Sequence, residues 1–339
     1  MSESENYVLR PHHSNFPRFA AAHPDVYGVT ADLTRPCELG LFRDLYPERC
    51  ISLGMAEQNM IGFAGGMARE GLIPYVHTFG VFTTRRVIDQ IEMAVAYPNL
   101  PVKMLGFLPG IISPGGATHH AIDDVSLMRS IPNMTVIDAG DATEIESVLE
   151  AAYQHPGPVY IRMNRGRMRR LFPTDEPLQI DRVRRLSAGE DLTVFSSGLI
   201  TEHAIRAVEV LKERGLSVEH VHISTLKPFN DPQIADSLRR GRLGAISLEN
   251  HLITGGLGSA LAEKIADEGI GTKLVRIGLR DTYAHGADPE YLLRLHEMDA
   301  LAVVRAAEDL LGDRLGVDPE DLGAVGFEST RASYRADAL

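Results

Sequence analysis

An alternation of short apolar strands with amphipathic helices is the feature that most limits how this chain can fold. Residues 135–163 show it clearly: TVIDAG predicts a strand, Asp141 or Thr143 caps a helix, and PVYIRM predicts the next strand. Strands that alternate with helices form parallel sheets covered by helices on both faces. We therefore expect an α/β fold of two consecutive three-layer domains with mainly parallel sheets.

The length of 339 residues favours two domains over one. The composition turns polar and basic between them, where Pro173 and Pro177 predict an irregular connection. We predict a first domain at residues 5–170, a linker at 171–188, a second domain at 189–325 and a tail at 326–339.

The bulk properties argue against nucleic-acid and membrane partners. A formal net charge of −12 does not fit a nucleic-acid-binding protein, which normally presents a basic face. The sequence has no apolar run of about 18 residues, and its first ten residues lack the apolar core of a signal peptide. We therefore expect a cytoplasmic protein, with Cys37 and Cys50 reduced and no metal ligands of its own.

Residues 51–69, ISLGMAEQNMIGFAGGMAR, carry an unusual carboxylate. Apolar residues recur there at helical spacing, and Glu57 lies on the same stripe as Met60 and Ile61. A carboxylate on a buried face is costly unless it is hydrogen-bonded or takes up a proton. The alternative is a first-turn glutamate that faces solvent and interacts with the helix dipole.

The segment around Glu57, GMAEQNMIGFAGGMA, resembles the pyrimidine-binding segment of the transketolase family of thiamine-diphosphate enzymes, which includes 1-deoxyxylulose-5-phosphate synthase. The resemblance covers almost the whole chain. It implies a pyrimidine-binding domain followed by a transketolase C-terminal domain. It also implies that Glu57 is catalytic and hydrogen-bonds the ring nitrogen N1′ of the cofactor's aminopyrimidine.

Three further residues resemble cofactor contacts of the family. Asp32 ends the predicted strand VYGVTAD, where a turn or cap role is the alternative. The resemblance places it near the cofactor. Phe79 and Phe82 would be core residues on burial statistics alone, whereas the resemblance implies that they stack on the aminopyrimidine.

Several arginines resemble positions that bind substrate phosphate in these enzymes. Arg10 precedes a weakly matching segment, and Arg162 and Arg165 lie in IRMNRG. The resemblance implies that they bind an anionic group of the substrate. For each arginine alone, a simple salt bridge remains an equal alternative.

The glycine-rich loop SPGGATHHAIDD contains His119 and His120. A histidine pair in a loop can simply be exposed, but the Gly-x-Thr-His pattern resembles that of the family, where the histidine contacts a substrate oxygen. We therefore expect His119 to act in catalysis and both histidines to bind substrate. The apolar residues 107–112, and Pro36 in place of a phosphate-binding serine, depart from the family and argue against an ordinary ketose phosphate.

The chain lacks the Gly-Asp-Gly and downstream Asn that hold magnesium and the cofactor's diphosphate in complete transketolases. The resemblance therefore implies a partner subunit that carries this domain and its Mg²⁺ or Ca²⁺, in an α2β2 heterotetramer. The implied reaction moves a two-carbon ketol unit from a ketose to an aldehyde. Two alternatives are the β subunit of a 2-oxo-acid dehydrogenase and a scaffold subunit without activity.

Overall fold

The structure, a computed structural model, describes residues 6–323 and contains two main sheets. The tail predicted at 326–339 lies outside the described residues. Within residues 6–323, the helices are too short or too polar to cross a bilayer.

The strands are β1 Tyr7–Leu9, β2 Val26–Thr30, β3 Cys50–Ser52, β4 Ile73–Phe79, β5 Lys103–Phe107, β6 Thr135–Asp138, β7 Val159–Met163, β8 Arg167–Arg169, β9 Arg184–Ser187, β10 Leu192–Ser196, β11 Val218–His222, β12 Thr225–Lys227, β13 Gly244–Leu252 and β14 Leu274–Leu279.

The α-helices are α1 Pro11–Ala22, α2 Gly40–Leu45, α3 Glu57–Arg69, α4 Gly80–Thr84, α5 Ile88–Gln90, α6 Asp124–Ser130, α7 Ala142–Gln154, α8 Thr201–Glu213, α9 Pro232–Arg240, α10 Leu257–Asp267, α11 Pro289–Leu295 and α12 Ala300–Leu311. A π-helix, Ile91–Ala96, follows α5 directly. Short 3₁₀ helices are Pro47–Arg49, Gly116–Thr118 and Pro319–Leu322.

The first sheet has the strand order β12-β6-β7-β5-β4-β2-β3, and all of its pairs are parallel except β12 with β6. The second sheet has the order β14-β13-β10-β11-β9, with β9 as its antiparallel edge. Helices pack against both sheets, which confirms the predicted pair of α/β units with mainly parallel strands.

The pairing of two edge strands differs from the domain boundary that we predicted from composition. Strand β9 lies inside the predicted linker but pairs with β11 of the second sheet. Strand β12 follows β11 in the chain and pairs with β6 of the first sheet. The two units are therefore connected by a shared strand as well as by the polypeptide between them.

Helix α3 packs through the apolar stripe that the spacing predicts. Met60, Ile61 and Ala64 are fully buried in the core. Gly65 lies so close to the π-helix that a Cβ atom there would come within 2.5 Å of the Ala94 carbonyl oxygen. Because no larger residue fits this contact, the two helices pack with their backbones almost touching.

Arg162 does not lie in an open site, as we had expected. It is 1% exposed and holds the two units together. Its guanidinium donates to both carboxylate oxygens of Asp124, at 2.8 and 3.0 Å, and to Asp138 at 3.0 Å. It also donates to the main-chain oxygen of Asn250, in the second unit, at 2.9 Å. We expected Arg162 to bind substrate, but these partners occupy it inside the protein and give it a structural role.

A second buried polar cluster joins the same units. Glu144, on α7, accepts a hydrogen bond of 2.6 Å from the Ser224 hydroxyl. The Nε2 atom of His222 lies 3.1 Å from the other Glu144 oxygen. All three side chains are at most 4% exposed, so the cluster acts as a hydrogen-bonded contact between the units.

We predict that Arg162→Met lowers the free energy of unfolding by about 3–5 kcal/mol, because it leaves two buried carboxylates without a counter-charge. Urea denaturation measures the effect. Arg43→Met is the control, since Arg43 pairs with Asp44 at the exposed surface and should change stability little. Unchanged stability combined with weaker substrate binding would restore the original expectation for Arg162.

Candidate active site

The candidate site lies at the carboxyl-terminal edge of the first sheet. Strands β2, β4, β5 and β7 are parallel, so their carboxyl ends meet at the same edge. The segments that follow these strands carry most of the residues that the sequence predicts for the site. Ligands of open α/β sheets bind at this kind of edge.

Glu57 is the first residue of α3 and only 6% exposed. The guanidinium of Arg86 donates to both of its carboxylate oxygens at 3.2 Å. Arg86 is half exposed, and its backbone oxygen accepts a hydrogen bond from the Gln58 amide at 3.0 Å. Glu57 is therefore held out of bulk water with an arginine at the rim of the site. Sequence reasoning missed Arg86, although it is part of the basic pair that follows Phe82.

Three aromatic rings lie beside this ion pair. The Phe79 and Phe82 ring centroids are 5.9 Å apart, and the His119 ring lies 5.6 Å from Phe82 and 6.1 Å from Phe79. The Arg86 guanidinium lies 4.2 Å from the centroid of Phe82. Arg86 thus connects the buried carboxylate with a surface of flat rings, which suits a planar heteroaromatic ligand.

The two histidines of the glycine-rich loop have different environments. His119 is half-buried and shares a hydrogen bond of 2.8 Å with the Thr118 hydroxyl. His120 is fully buried, and its Nε2 donates to the Ser113 carbonyl oxygen at 2.6 Å. Burial also lowers the pKa of His120 and favours its neutral form. We expected both histidines to bind substrate, but only His119 lies where a ligand could reach it.

Arg165 lies next to the aromatic rings, and the Arg10 segment is joined to it. Arg165 donates to the Pro36 carbonyl oxygen at 2.9 Å, and its guanidinium is 5.8 Å from the Phe79 centroid. The Arg10 backbone N–H donates to the Gly166 oxygen at 2.7 Å, which brings the two arginine segments together. A ligand on the rings could therefore extend toward the Arg165 guanidinium.

Three residues in the Arg10 segment and in the loop after β2 have left-handed backbone conformations. Arg10, Asp32 and Glu38 have φ angles of 50°, 61° and 58°. Left-handed conformations are uncommon for residues other than glycine. They concentrate at functional sites, where the surrounding structure maintains them. Asp32 is exposed just beyond the end of β2, at the edge where cofactor contacts are expected.

Residues 6–323 have two further features that concern ligands. Within that range, no three His, Cys, Asp or Glu side chains converge in a way that could hold a metal ion. A cavity of about 760 Å³ lies in the second unit between His203, Arg280, Arg294 and Arg305, and its lining contains none of the residues expected at the site.

Comparisons with known proteins agree with this arrangement. Family models match residues 14–170, as the transketolase pyrimidine-binding domain, and residues 181–303, as the transketolase C-terminal domain. The putative transketolase C-terminal section of Methanocaldococcus jannaschii is 36% identical over 280 residues, which is 82% of this chain and 87% of the relative. The 6-deoxy-6-sulfo-D-fructose transketolase subunit SqwH of a Clostridium species is 35% identical, over 86% of this chain and 90% of the relative.

A solved structure described as a split-gene transketolase, an inactive beta4 tetramer, is 31% identical with a TM-score of 0.82, over 89% of this chain and 97% of that one. Relatives also include 1-deoxy-D-xylulose-5-phosphate synthases, of whose length the matched region spans less than half.

The two α/β units correspond to the pyrimidine-binding and C-terminal domains of transketolases. The acidic and aromatic candidate site lies at the strand ends of the first unit. The chain belongs to the transketolase family, in which it corresponds to the C-terminal section. The family uses thiamine diphosphate.

We predict that Arg10→Gly is more stable than Arg10→Ala by about 1–2 kcal/mol, because only glycine adopts the left-handed conformation without a Cβ penalty. Urea denaturation of the two variants measures the difference. The order should reverse at Arg206, inside helix α8, where alanine is favoured by about 1 kcal/mol. Equal stability of the two Arg10 variants would show that the backbone there is unstrained.

Proposed function

We propose that this chain is the second subunit of a thiamine-diphosphate-dependent transketolase, which transfers a two-carbon ketol unit from a ketose donor to an aldehyde acceptor. The observation that carries the proposal is the buried carboxylate of Glu57, at the start of α3, beside a group of aromatic rings. Family membership supports the same assignment.

The residues present fit the aminopyrimidine part of the cofactor. Glu57 would accept a hydrogen bond at ring nitrogen N1′ and so hold a proton at that atom. Phe79 and Phe82 would pack against the ring, and Asp32 would lie near it. When bound, thiamine diphosphate supplies the carbon nucleophile and the electron sink for cleavage of the ketose carbon–carbon bond.

Arg86 and N1′ would share the Glu57 carboxylate. Both of its oxygens accept from Arg86 in the structure, and each oxygen can accept a further hydrogen bond. The guanidinium also packs on the Phe82 ring. Arg86 would therefore keep the carboxylate in place beside the aromatic rings while the carboxylate contacts N1′.

On the substrate side, we propose that His119 contacts a substrate oxygen while Arg10 and Arg165 bind an anionic group. All three side chains are partly exposed. Residues 107–112 are apolar and buried, so they supply no side chain that could bind the oxygens of an ordinary ketose phosphate. Arg162 and His120 are excluded from this set by their burial and their partners.

We propose further that a partner subunit supplies the diphosphate-binding domain and its Mg²⁺ or Ca²⁺, in an α2β2 assembly. Two relatives are described as a subunit and as the product of a split gene. The split-gene relative is described as an inactive beta4 tetramer, and we infer that this chain is likewise inactive without its partner.

In the complex with the partner, Glu57→Gln should lower ketol transfer by at least about 100-fold, because a neutral amide cannot exchange a proton with N1′ in the same way. Assembly should be unchanged by light scattering. Glu70→Gln, at the exposed far end of the same helix, is the control and should remain active. Full turnover by the Glu57 variant would remove this residue from the mechanism.

The same complex separates the alternatives. Release of carbon dioxide from a 2-oxo acid, with transfer to a lipoyl group, would identify a dehydrogenase subunit. Absence of turnover, together with thiamine-diphosphate affinity that does not depend on Glu57, would identify a scaffold.

Phe82→Leu should weaken binding of thiamine diphosphate to the complex by about 2- to 10-fold, the loss expected for one aromatic contact. Calorimetric titration measures the dissociation constant. Tyr283→Leu, at an exposed position of the second domain, is the control. Unchanged affinity of the Phe82 variant would place the aminopyrimidine elsewhere.

A further inference from the structure

The second domain contains a cavity that the proposed mechanism does not use. It has a volume of about 760 Å³ and lies between the end of β14, helices α11 and α12, and the 3₁₀ helix Pro319–Leu322. Small-molecule sites in proteins have volumes of about 300–1,000 Å³ and combine apolar walls with a few polar groups. The lining residues all belong to the range 203–323, so the cavity is separate from the site around Glu57.

Apolar side chains form one wall of the cavity. Val275 and Ile277 contribute to it from β14, and Ala302 and Ala306 contribute from α12, one turn apart. An alanine side chain ends at its Cβ atom, so the two alanines leave space between the helix and the strand. A small apolar group placed there would be removed from water, which favours its binding.

Glu290, in the first turn of α11, lines the cavity with a carboxylate that lacks a hydrogen bond at one oxygen. Its Oε1 atom is buried and accepts no hydrogen bond from residues 6–323. The Nε2 atom of His203 lies 3.7 Å from it, which is beyond hydrogen-bond distance. A buried acceptor without a donor is costly, and native proteins pair most such groups. The oxygen is therefore suited to a donor that a ligand supplies.

Arg294 presents the opposite charge to the same cavity. It lies four residues after Glu290 on α11, a spacing at which oppositely charged side chains often pair. Its guanidinium nevertheless makes no ion pair with Glu290 or with another carboxylate of residues 6–323. Arg305, another lining residue, is already hydrogen-bonded to Glu308 at 3.0 Å. Arg294 is therefore available to an anionic group of a ligand.

We propose that the cavity binds a small zwitterion with an apolar side chain, which is the chemistry of an α-amino acid. The ammonium group of this ligand donates to Glu290 Oε1, and its carboxylate accepts from Arg294. Its side chain packs against Val275, Ile277 and Ala306. The proposal concerns a second site, in the second domain, and goes beyond the proposed ketol transfer.

The charges of the lining favour a zwitterion over a simple ion. Four carboxylates and three guanidinium groups line the cavity. An anion such as phosphate would face the carboxylates, and a cation would leave the Arg294 guanidinium without a counter-charge. An uncharged apolar molecule would cover the Glu290 oxygen without giving it a hydrogen bond. A molecule with both charges and an apolar part matches the acceptor, the guanidinium and the apolar wall together.

L-leucine is the probe, and calorimetric titration of the full chain at neutral pH is the measurement. We expect saturable binding at a single site in each chain. Glu290→Gln and Arg294→Met should each weaken it by about 10-fold, because each removes one charge-assisted hydrogen bond. Glu209→Gln and Arg206→Met are the matched controls, since these residues form an exposed ion pair on α8 and should leave the affinity unchanged.

Two analogues of leucine assign the contacts separately, and each should bind about 10-fold more weakly than leucine. Isoamylamine lacks the carboxylate, so Glu290→Gln should weaken its binding and Arg294→Met should not. Isocaproate lacks the ammonium group, so the effects of the two variants should be reversed. Glycine lacks the apolar side chain and should bind at least about 10-fold more weakly than leucine.

Absence of saturable leucine binding up to about 20 mM would overturn the proposal, because a ligand of this size that uses all three features should bind below this concentration. Leucine binding that both cavity variants retain in full would overturn it as well. So would isocaproate or isoamylamine that binds as tightly as leucine. The comparison of the ligands needs only the unmodified chain, so it decides the matter even where a variant fails to fold.

The titration needs neither thiamine diphosphate nor the partner subunit. Its failure would therefore leave the proposed ketol transfer intact, and failure of the Glu57 experiment would leave the leucine result intact.

Discussion

The arrangement of the site depends on a carboxylate that is removed from water at the start of a helix. Glu57 lies on the apolar stripe of α3, so the packing that stabilises the helix also buries the charge. A buried carboxylate requires a partner, and Arg86 provides one while its guanidinium rests on Phe82. The packing of α3 thereby determines where the carboxylate of Glu57 meets Arg86 and Phe82.

Burial separates arginines that look equivalent in the sequence. Arg162 and Arg165 are three residues apart, yet the first lies on β7 between two aspartates and the second follows the strand at the sheet edge. A guanidinium with two buried carboxylates cannot leave them without a large cost. Position along the strand therefore decides which arginine is buried between carboxylates and which lies at the edge of the sheet.

The sequence predicted those features that depend on residues close together in the chain. The spacing of apolar residues predicted α3, and alternation predicted the parallel sheets, including the edge where the site residues meet. Strand β9, inside the predicted linker, and the crossing strand β12 depend on pairing between distant segments, which composition does not report. Arg86 was missed for the same reason, since its partner Glu57 lies 29 residues away.

Backbone strain occurs close to the candidate site, at Arg10 and in the loop after β2. Arg10, Asp32 and Glu38 all adopt left-handed conformations that cost free energy, and hydrogen bonds between distant segments hold Arg10 and Glu38 in place. Glu38 contributes two of these bonds through a carboxyl group that is itself costly to bury. Glycine would adopt these conformations at lower cost. The residues found there instead keep charged side chains near the edge of the sheet, where Arg165 lies beside Phe79, and this supports the proposed role of the edge in substrate binding.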